Sequence, residues 1–260
     1  MCLFGMLPYL ISGQIPNLSN AFFETVSGYT TTGATILDDI ESLDHSILYW
    51  RSLTQWIGGM GIIVLAVAIL PFLGIGGMQL FSAESPGPST DKLHPRITDT
   101  AKRLWRIYVS YTLIETICLK LAGMSFFDAI NHSMSNIASG GVSTKNESLA
   151  HWNSNPVIQY IVIFFMFVAG TNFVLSYFGF KLNFKKIFND EEFKVYSFLI
   201  IGFTVSVALV LYFSTDFLYD FDSQIQRIEG VFRHSLFQVV SIITTTGFVT
   251  ADYTSWTPLL

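Results

Sequence analysis

Charged residues are scarce in this sequence, and long stretches have none. Only 13% of the 260 residues are Asp, Glu, Lys or Arg, while 51% are apolar. No Asp, Glu, Lys or Arg occurs in Ser52–Ala83, Asn153–Phe180 or Val195–Thr215. Uncharged, mostly apolar runs of about 18 residues or more can cross the hydrocarbon core of a bilayer as helices. The sequence therefore predicts an all-α integral membrane protein.

Cysteine is scarce as well. Cys2 and Cys118 are too few and too far apart to indicate a disulfide framework or a metal site. The five histidines lack the His-Glu-x-x-His spacing of metalloproteases. No basic patch interleaved with aromatic residues appears, so nucleic acid is not an expected partner. We expect neither an enzyme nor a cofactor-binding protein.

A short segment rich in hydroxyl groups and glycine occurs three times. The copies are Ser27–Gly33, Ser135–Gly141 and Ser241–Gly247, with a period of about 107 residues. Each begins with serine and ends with glycine. Nine residues before that glycine stands a polar residue, and another stands five residues after it. The first set is Glu24, His132 and Gln238, and the second is Asp38, Asn146 and Asp252.

The pattern around each glycine predicts a half-helix followed by an extended segment. The half-helix is expected to be about two turns long and to begin near Asn20, Asp128 or His234, of which the first two are good N-cap residues. Inside a bilayer, irregular backbone is tolerated only where it lies within protein or lines a cavity. Extended backbone can direct its carbonyl oxygens at a cation and replace its water shell. The negative C-terminal ends of the half-helices favour the same ion.

The chain divides into repeated units of helix, pore loop and helix. The first repeat is predicted at residues 1–73, a connector at 74–103, the second repeat at 104–180, a loop at 181–194 and the third repeat at 195–260. Four complete spans are expected at Ile47–Leu73, Leu104–Ala122, Pro156–Phe178 and Val195–Phe213. The opening Met1–Ser12 is too short to span, and we interpret the chain as a fragment.

Basic residues indicate the orientation in the membrane. Nine of the fourteen Lys and Arg lie in Leu80–Arg106 and Lys181–Lys194, which would be on the same side. The positive-inside rule makes that side cytoplasmic, so the glycine segments would open outward. Acidic loops above them would raise the local cation concentration. Their acidic residues are Asp38, Asp39, Glu41, Asp44, Asp216, Asp220 and Asp222.

Three motifs carry a family resemblance: Thr30–Thr35, Thr54–Gly61 and Ala83–Pro88. With them, essentially the whole chain resembles a Trk-type potassium uptake protein of the TrkH-like branch of the Trk/Ktr/HKT superfamily. The resemblance implies a potassium-channel-like, pseudo-fourfold pore of four linked repeats, of which the fourth and the end of the third are not in this chain. It also implies a multi-pass protein of the cell inner membrane, a homodimer and a cytosolic nucleotide-binding regulatory subunit.

The same resemblance assigns roles to residues. The K⁺-binding filter would comprise Thr31, Thr32 and Gly33, then Ser139, Gly140 and Gly141, and finally Thr245, Thr246 and Gly247. In related plant sodium carriers the first filter glycine is commonly serine, so Gly33 favours potassium. Ser139, the one serine placed to suggest a nucleophile, is interpreted as filter because it shares its register with Thr31 and Thr245. The polar residues nine positions earlier would brace the filter from behind: Glu24, His132 and Gln238.

Two alternatives stay open: a sodium-permeable or weakly selective carrier of the same fold, and a truncated, non-conducting product. Symport with H⁺ or Na⁺ and channel-like flux also stay open. Two charged residues in the predicted spans have simple expected roles. Glu115 would hydrogen-bond Thr or Ser on a neighbouring helix, and Arg51, beside Trp50, would be an interfacial anchor.

Overall fold

The computed structural model describes residues 1–69, 93–181, 183–213, 223–251 and 256. In these ranges the chain is helical, with no strand, so the all-α prediction is confirmed. The α-helices are α1 (Cys2–Gly5), α2 (Leu7–Ile11), α3 (Leu18–Tyr29), α4 (His45–Ile69), α5 (Leu93–Leu121), α6 (Phe126–Ile137), α7 (Pro156–Ala169), α8 (Phe173–Phe180), α9 (Phe184–Asn189), α10 (Glu191–Phe213) and α11 (Gln224–Ile243). A short 3₁₀ helix covers Ser148–Trp152.

Among the described residues, α10 is the one helix both long and apolar enough to cross a membrane. Its 23 residues contain an 18-residue window with a mean hydropathy of 2.2, only 17% of which is buried. Its exposed side chains include Phe198, Ile201 and Phe213. An exposed apolar surface of this kind suits lipid contact. The predicted span Val195–Phe213 lies wholly within this helix.

The second span begins earlier than predicted. We placed its start at Leu104, directly after a predicted connector at 74–103. The helix α5 already begins at Leu93, within that connector. The first turn of a helix needs no internal N–H bonds, so Pro95 is tolerated there. The apolar window thus marks the stretch suited to lipid, whereas the helix extends beyond it. Residues 70–92, including the remainder of the connector, lie outside the described residues.

The predicted third span, Pro156–Phe178, is broken in the structure. α7 ends at Ala169 and α8 begins at Phe173. At the break, the hydroxyl of Thr171 donates to the carbonyl of Val168 at 2.7 Å. Gly170 lies close to the side chains of Thr244 and Tyr196, each 2.6 Å from where a Cβ would be. The break therefore lies at the C-terminus of α11, beside the third glycine segment.

The three helices before the glycine segments, α3, α6 and α11, also begin earlier than predicted. Their N-caps are Asn17, Ser125 and Ser223, whose side chains accept hydrogen bonds from backbone N–H groups of the first turn. Asn20 and Asp128 lie within the first turns of α3 and α6, and His234 lies ten residues after the start of α11. Asn20, Asp128 and His234 are therefore not caps. α3 and α6 have 12 residues each and α11 has 20, which exceeds the predicted two turns.

α4 and α7 each pack against two of these half-helices. α4 packs against both α3 and α6, and α7 packs against both α6 and α11. Close approach is possible because α3 and α4 meet at glycines. A Cβ on Gly28 would overlap the hydroxyl of Thr54, and a Cβ on Gly58 would overlap the carbonyl oxygen of Tyr29. Small residues let helix backbones approach in this way.

We predict that Gly58→Ala destabilises the protein by about 1–3 kcal/mol, because the new methyl group meets backbone that cannot rotate away. Gly61→Ala is the matched control on the same helix, since no described residue outside its own helical turn lies within 4 Å of its Cβ position. Thermal unfolding of the purified, detergent-solubilised protein measures both. Equal effects of the two substitutions would contradict a close contact between α3 and α4 at Gly58.

Candidate functional site

All three half-helices end in the same hydrogen-bonded turn. In the first copy, the N–H of Thr32 donates to the carbonyl of Ser27 and the N–H of Thr31 donates to that of Gly28, both at 3.0 Å. These are the two bonds of a Schellman motif. The equivalent pairs are Gly140 to Ser135 and Ser139 to Asn136 (both 2.9 Å), Thr246 to Ser241 (2.9 Å) and Thr245 to Ile242 (3.0 Å). The three copies that the sequence aligns therefore also share one hydrogen-bonded turn.

Backbone angles repeat in the same register. The residue two positions before each glycine has a positive φ: 53° at Thr31, 54° at Ser139 and 58° at Thr245. A non-glycine residue in the left-handed region costs roughly 1 kcal/mol or more. The glycines follow with φ of 76°, 72° and 84° at Gly33, Gly141 and Gly247 respectively. Three copies with different side chains thus keep one unusual backbone shape.

The three segments lie side by side in chain order. Gly33 lies against the carbonyl oxygen of Gly140, and Gly141 lies against that of Thr246. A Cβ on either of these glycines would overlap the neighbouring oxygen. Gly247 has no such neighbour within 4 Å among the described residues. The glycine of one copy therefore lies directly against a backbone carbonyl of the next, and the three segments are neighbours in space.

The serine at the start of each copy holds the turn from behind in two of the three cases. The hydroxyl of Ser27 donates to the carbonyl of Ala34 at 2.6 Å, and that of Ser241 donates to that of Phe248 at 2.7 Å. In the second copy, Ser135 instead donates to the side-chain oxygen of Gln55 on α4 at 2.8 Å. Our sequence analysis assigned Gln55 no role. The only feature of the sequence that hinted at a role for Gln55 is the glycine at position 140, where the other two copies have threonine.

Two of the three predicted bracing residues bond to the segment that follows the glycine. Glu24 accepts from the hydroxyl of Thr35 at 2.5 Å and from the N–H of Ile36 at 2.7 Å. A ring nitrogen of His132 is 2.9 Å from the hydroxyl of Ser143. Thr35 and Ser143 both lie two residues after their glycine, so the first and second copies share this bridge. Glu24 and His132 are also buried.

The third copy makes its bridge from a different pair. Gln238 is buried on α11 in the predicted register, but the residue two after its glycine is Val249. A ring nitrogen of His234 instead lies 2.8 Å from the hydroxyl of Thr250. The second copy has this bridge too, from the hydroxyl of Thr144 to Asp128 at 2.6 Å. The role of all three bracing residues towards an ion stays a prediction.

Arg51 is not the interfacial anchor that we expected. Its side chain is only 3% exposed, and its Nε lies 3.5 Å from a carboxylate oxygen of Glu24. It also donates to the hydroxyl of Thr35 at 3.1 Å. The prediction was wrong because the partner that allows its burial lies on α3, more than twenty residues away. Arg51 and Glu24 together clamp α4 to the segment after Gly33.

Glu115 is fully buried, and its predicted partner was also wrong. A carboxyl oxygen accepts a hydrogen bond from the side-chain amide of Asn136 at 2.6 Å, where we expected a hydroxyl of Thr or Ser. The same amide reaches the carbonyl of Val162 at 3.3 Å. Asn136 thus connects α6 to both α5 and α7, directly behind the second segment.

The acidic loop of the first repeat is docked onto the second. The side-chain amide of Asn146 donates to Asp39 at 3.0 Å, and its oxygen accepts from the N–H of Ile40 at 2.6 Å. The first bond lowers the pKa of Asp39 below its usual value. Lys145 forms an ion pair with Glu41 at 3.5 Å, which offsets part of the negative charge. Asp216, Asp220, Asp222 and Asp252 lie outside the described residues, so the acidic vestibule stays a prediction.

We predict that Glu24→Ala destabilises the protein by about 3–5 kcal/mol, because it leaves the guanidinium of Arg51 buried without its carboxylate. The double variant Glu24→Ala/Arg51→Leu removes both charges and should lose less. Chemical or thermal unfolding in detergent compares the two. A double variant less stable than Glu24→Ala alone would show that Arg51 does not depend on this carboxylate.

Comparison with known proteins gives these features a context. The sequence model of the TrkH family, described as a cation transport protein, matches residues 4–260. The Trk system potassium uptake protein TrkH of Salmonella typhimurium is 46% identical over 256 residues, covering 97% of this chain and 51% of that protein. TrkG of Escherichia coli K12 is 41% identical, covering 91% of this chain and 47% of that protein.

A solved structure agrees with the sequence matches. The crystal structure of the potassium transporter TrkH from Vibrio parahaemolyticus superimposes with a TM-score of 0.80 at 40% identity, covering 97% of this chain and 50% of that one. The chain spans about half the length of the curated relatives that it matches. The relatives are named as potassium uptake proteins, a transport family rather than an enzyme family. By sequence and by fold, this chain is a member of the TrkH family of integral membrane cation transport proteins.

Proposed function

We propose that this chain provides three of the filter segments of a potassium uptake pathway, in which backbone carbonyls replace the water around the ion. The observation that carries the proposal is the meeting of successive segments, Gly33 with the carbonyl of Gly140 and Gly141 with that of Thr246. The family membership supports potassium as the transported ion. The relatives' names include potassium uptake.

The proposed ligands come from the repeated backbone shape. In each copy, a left-handed residue and a left-handed glycine enclose one residue between them, which is Thr32, Gly140 or Thr246. Alternation of this kind lets consecutive carbonyls point to the same side of a strand. Glycine is suited to the last position because a Cβ would displace the neighbouring carbonyl. The filter therefore comprises the residues named in the sequence analysis: Thr31, Thr32, Gly33, Ser139, Gly140, Gly141, Thr245, Thr246 and Gly247.

The surroundings of this pathway follow the same proposal. The segments face the outside of the cell inner membrane, and the basic connectors face the cytoplasm, as the distribution of Lys and Arg favours. A homodimer and a cytosolic nucleotide-binding regulatory subunit are the proposed partners, on the strength of the family resemblance. A sodium-permeable carrier remains the alternative, and it differs from this proposal in a measurable ion preference.

We predict that Gly141→Ser lowers the preference for K⁺ over Na⁺ by about tenfold or more, which corresponds to roughly 1.4 kcal/mol or more. The new side chain would overlap the carbonyl of Thr246 and displace it. The full-length protein that contains this chain is expressed in cells that lack their own potassium uptake. Growth on limiting K⁺ measures rescue, and ion flux measures the preference. The unsubstituted protein should restore growth.

Gly13→Ser is the matched control for backbone strain. Gly13 has a φ of 70°, close to the 72° of Gly141, but in the part of the chain that the structure describes nothing lies within 4 Å of its Cβ position. It should leave the ion preference unchanged. The proposal fails if Gly141→Ser also leaves it unchanged, or if the unsubstituted protein does not rescue growth. Equal uptake of Na⁺ and K⁺ by the unsubstituted protein would favour the sodium-permeable alternative.

A further inference from the structure

The residue immediately before the filter glycine differs in the second copy. The first and third copies have threonine there, and its hydroxyl bonds to a second threonine two residues earlier, from Thr32 to Thr30 at 2.7 Å and from Thr246 to Thr244 at 2.8 Å. The second copy has Gly140 in this position. Its turn therefore lacks the hydroxyl pair that supports the other two.

A side chain from the preceding repeat occupies the space beside Gly140. Gln55 on α4 is fully buried. Its amide nitrogen donates to the carbonyl of Gly140 at 2.8 Å. Its amide oxygen accepts from the hydroxyl of Ser135 at 2.8 Å and from the N–H of Val142 at 3.4 Å. One side chain thus bonds to the serine that begins the segment, to the residue before the filter glycine and to the residue after it.

Gly140 admits this side chain because it has no Cβ. A methyl group on Gly140 would overlap the amide carbon and both polar atoms of Gln55. No left-handed φ is recorded at Gly140, so the reason for glycine there is space and not backbone angle. Glycine at position 140 and glutamine at position 55 therefore depend on each other.

In the second and third repeats, the two equivalent positions hold an apolar residue and a threonine. Gln55 lies 22 residues after Gly33, and the residue 22 after Gly141 is the buried Ile163. Ile163 lies on α7, which packs against α11. Isoleucine cannot donate to a carbonyl, and the third copy keeps Thr246. Where the preceding helix offers an amide, the segment has glycine, and where it offers an apolar side chain, the segment has threonine.

We propose that Gln55 is a positioning residue that sets the second filter segment, and that Gly140 is glycine in order to admit it. The role in ion selection rests on the proposed function of the segments, whereas the size pairing does not. A carbonyl oxygen has two lone pairs, so the bond from Gln55 leaves one for an ion. Gly33 lies against the same oxygen. The Gly140 carbonyl is thereby held between two elements of the first repeat and cannot adjust to a smaller ion.

The size pairing is tested by a double-mutant cycle on the purified protein. Gly140→Ala should lower the unfolding temperature, and Gln55→Ala should lower it through the loss of three hydrogen bonds. In Gln55→Ala/Gly140→Ala the new methyl group has room, so the combined loss should be clearly smaller than the sum. Gly202→Ala is the control for a glycine replacement, because among the residues that the structure describes nothing lies within 4 Å of its Cβ position. Additive losses would overturn the pairing.

The positioning role is tested by Gln55→Met, which keeps most of the volume and removes the hydrogen bonds. We expect retained K⁺ uptake with a K⁺-over-Na⁺ preference lowered by roughly two- to tenfold, the range that one net hydrogen bond represents. A simple packing role would leave the preference unchanged, and that result would overturn the positioning role. If the unsubstituted protein carries no K⁺, the proposed function fails, while the unfolding cycle still decides the pairing of Gln55 with Gly140.

Discussion

Contact between a glycine of one repeat and a backbone carbonyl of the next is the constraint on which the rest of the structure depends. A carbonyl oxygen of the next copy lies beside Gly33 and another lies beside Gly141, where a Cβ would overlap it. Each segment can reach this distance only if its half-helix ends at the same residue and turns in the same way. The shared Schellman bonds and the left-handed residues before each glycine meet that requirement.

Behind this contact, each copy uses different residues to hold its turn in place. A turn with an unfavourable backbone angle must be held by its surroundings. The first copy uses a buried carboxylate and guanidinium, Glu24 and Arg51. The second uses His132, Asp128 and an amide from another repeat, and the third uses His234. The common element is a polar bridge from the half-helix to the segment after the glycine, whatever the residues that form it.

The sequence predicted the features that recur, and it missed the contacts between residues that are far apart in the chain. The register of the three glycines, the all-helical fold and the polar position nine residues before each glycine could all be found by aligning the chain with itself. The exact helix starts could not, because Asn20 and Asp128 are also good N-cap residues and lie only three positions after the residues that cap the helices. The roles of Gln55 and Arg51 could not either. Gln55 is 85 residues from Gly140 along the chain, and the sequence marks the unusual glycine without indicating its partner.

The placement of α4 between two half-helices has a consequence for how the protein is made. A chain emerges from the ribosome N-terminus first, so α4 is complete while the second half-helix is still unsynthesised. The amide of Gln55 then has no Gly140 to bond, and the acidic loop has no Asn146 to receive it. An unpaired buried amide is costly in lipid. The first repeat therefore cannot reach its final conformation during synthesis until the second is in place, and the two mature as one cooperative unit.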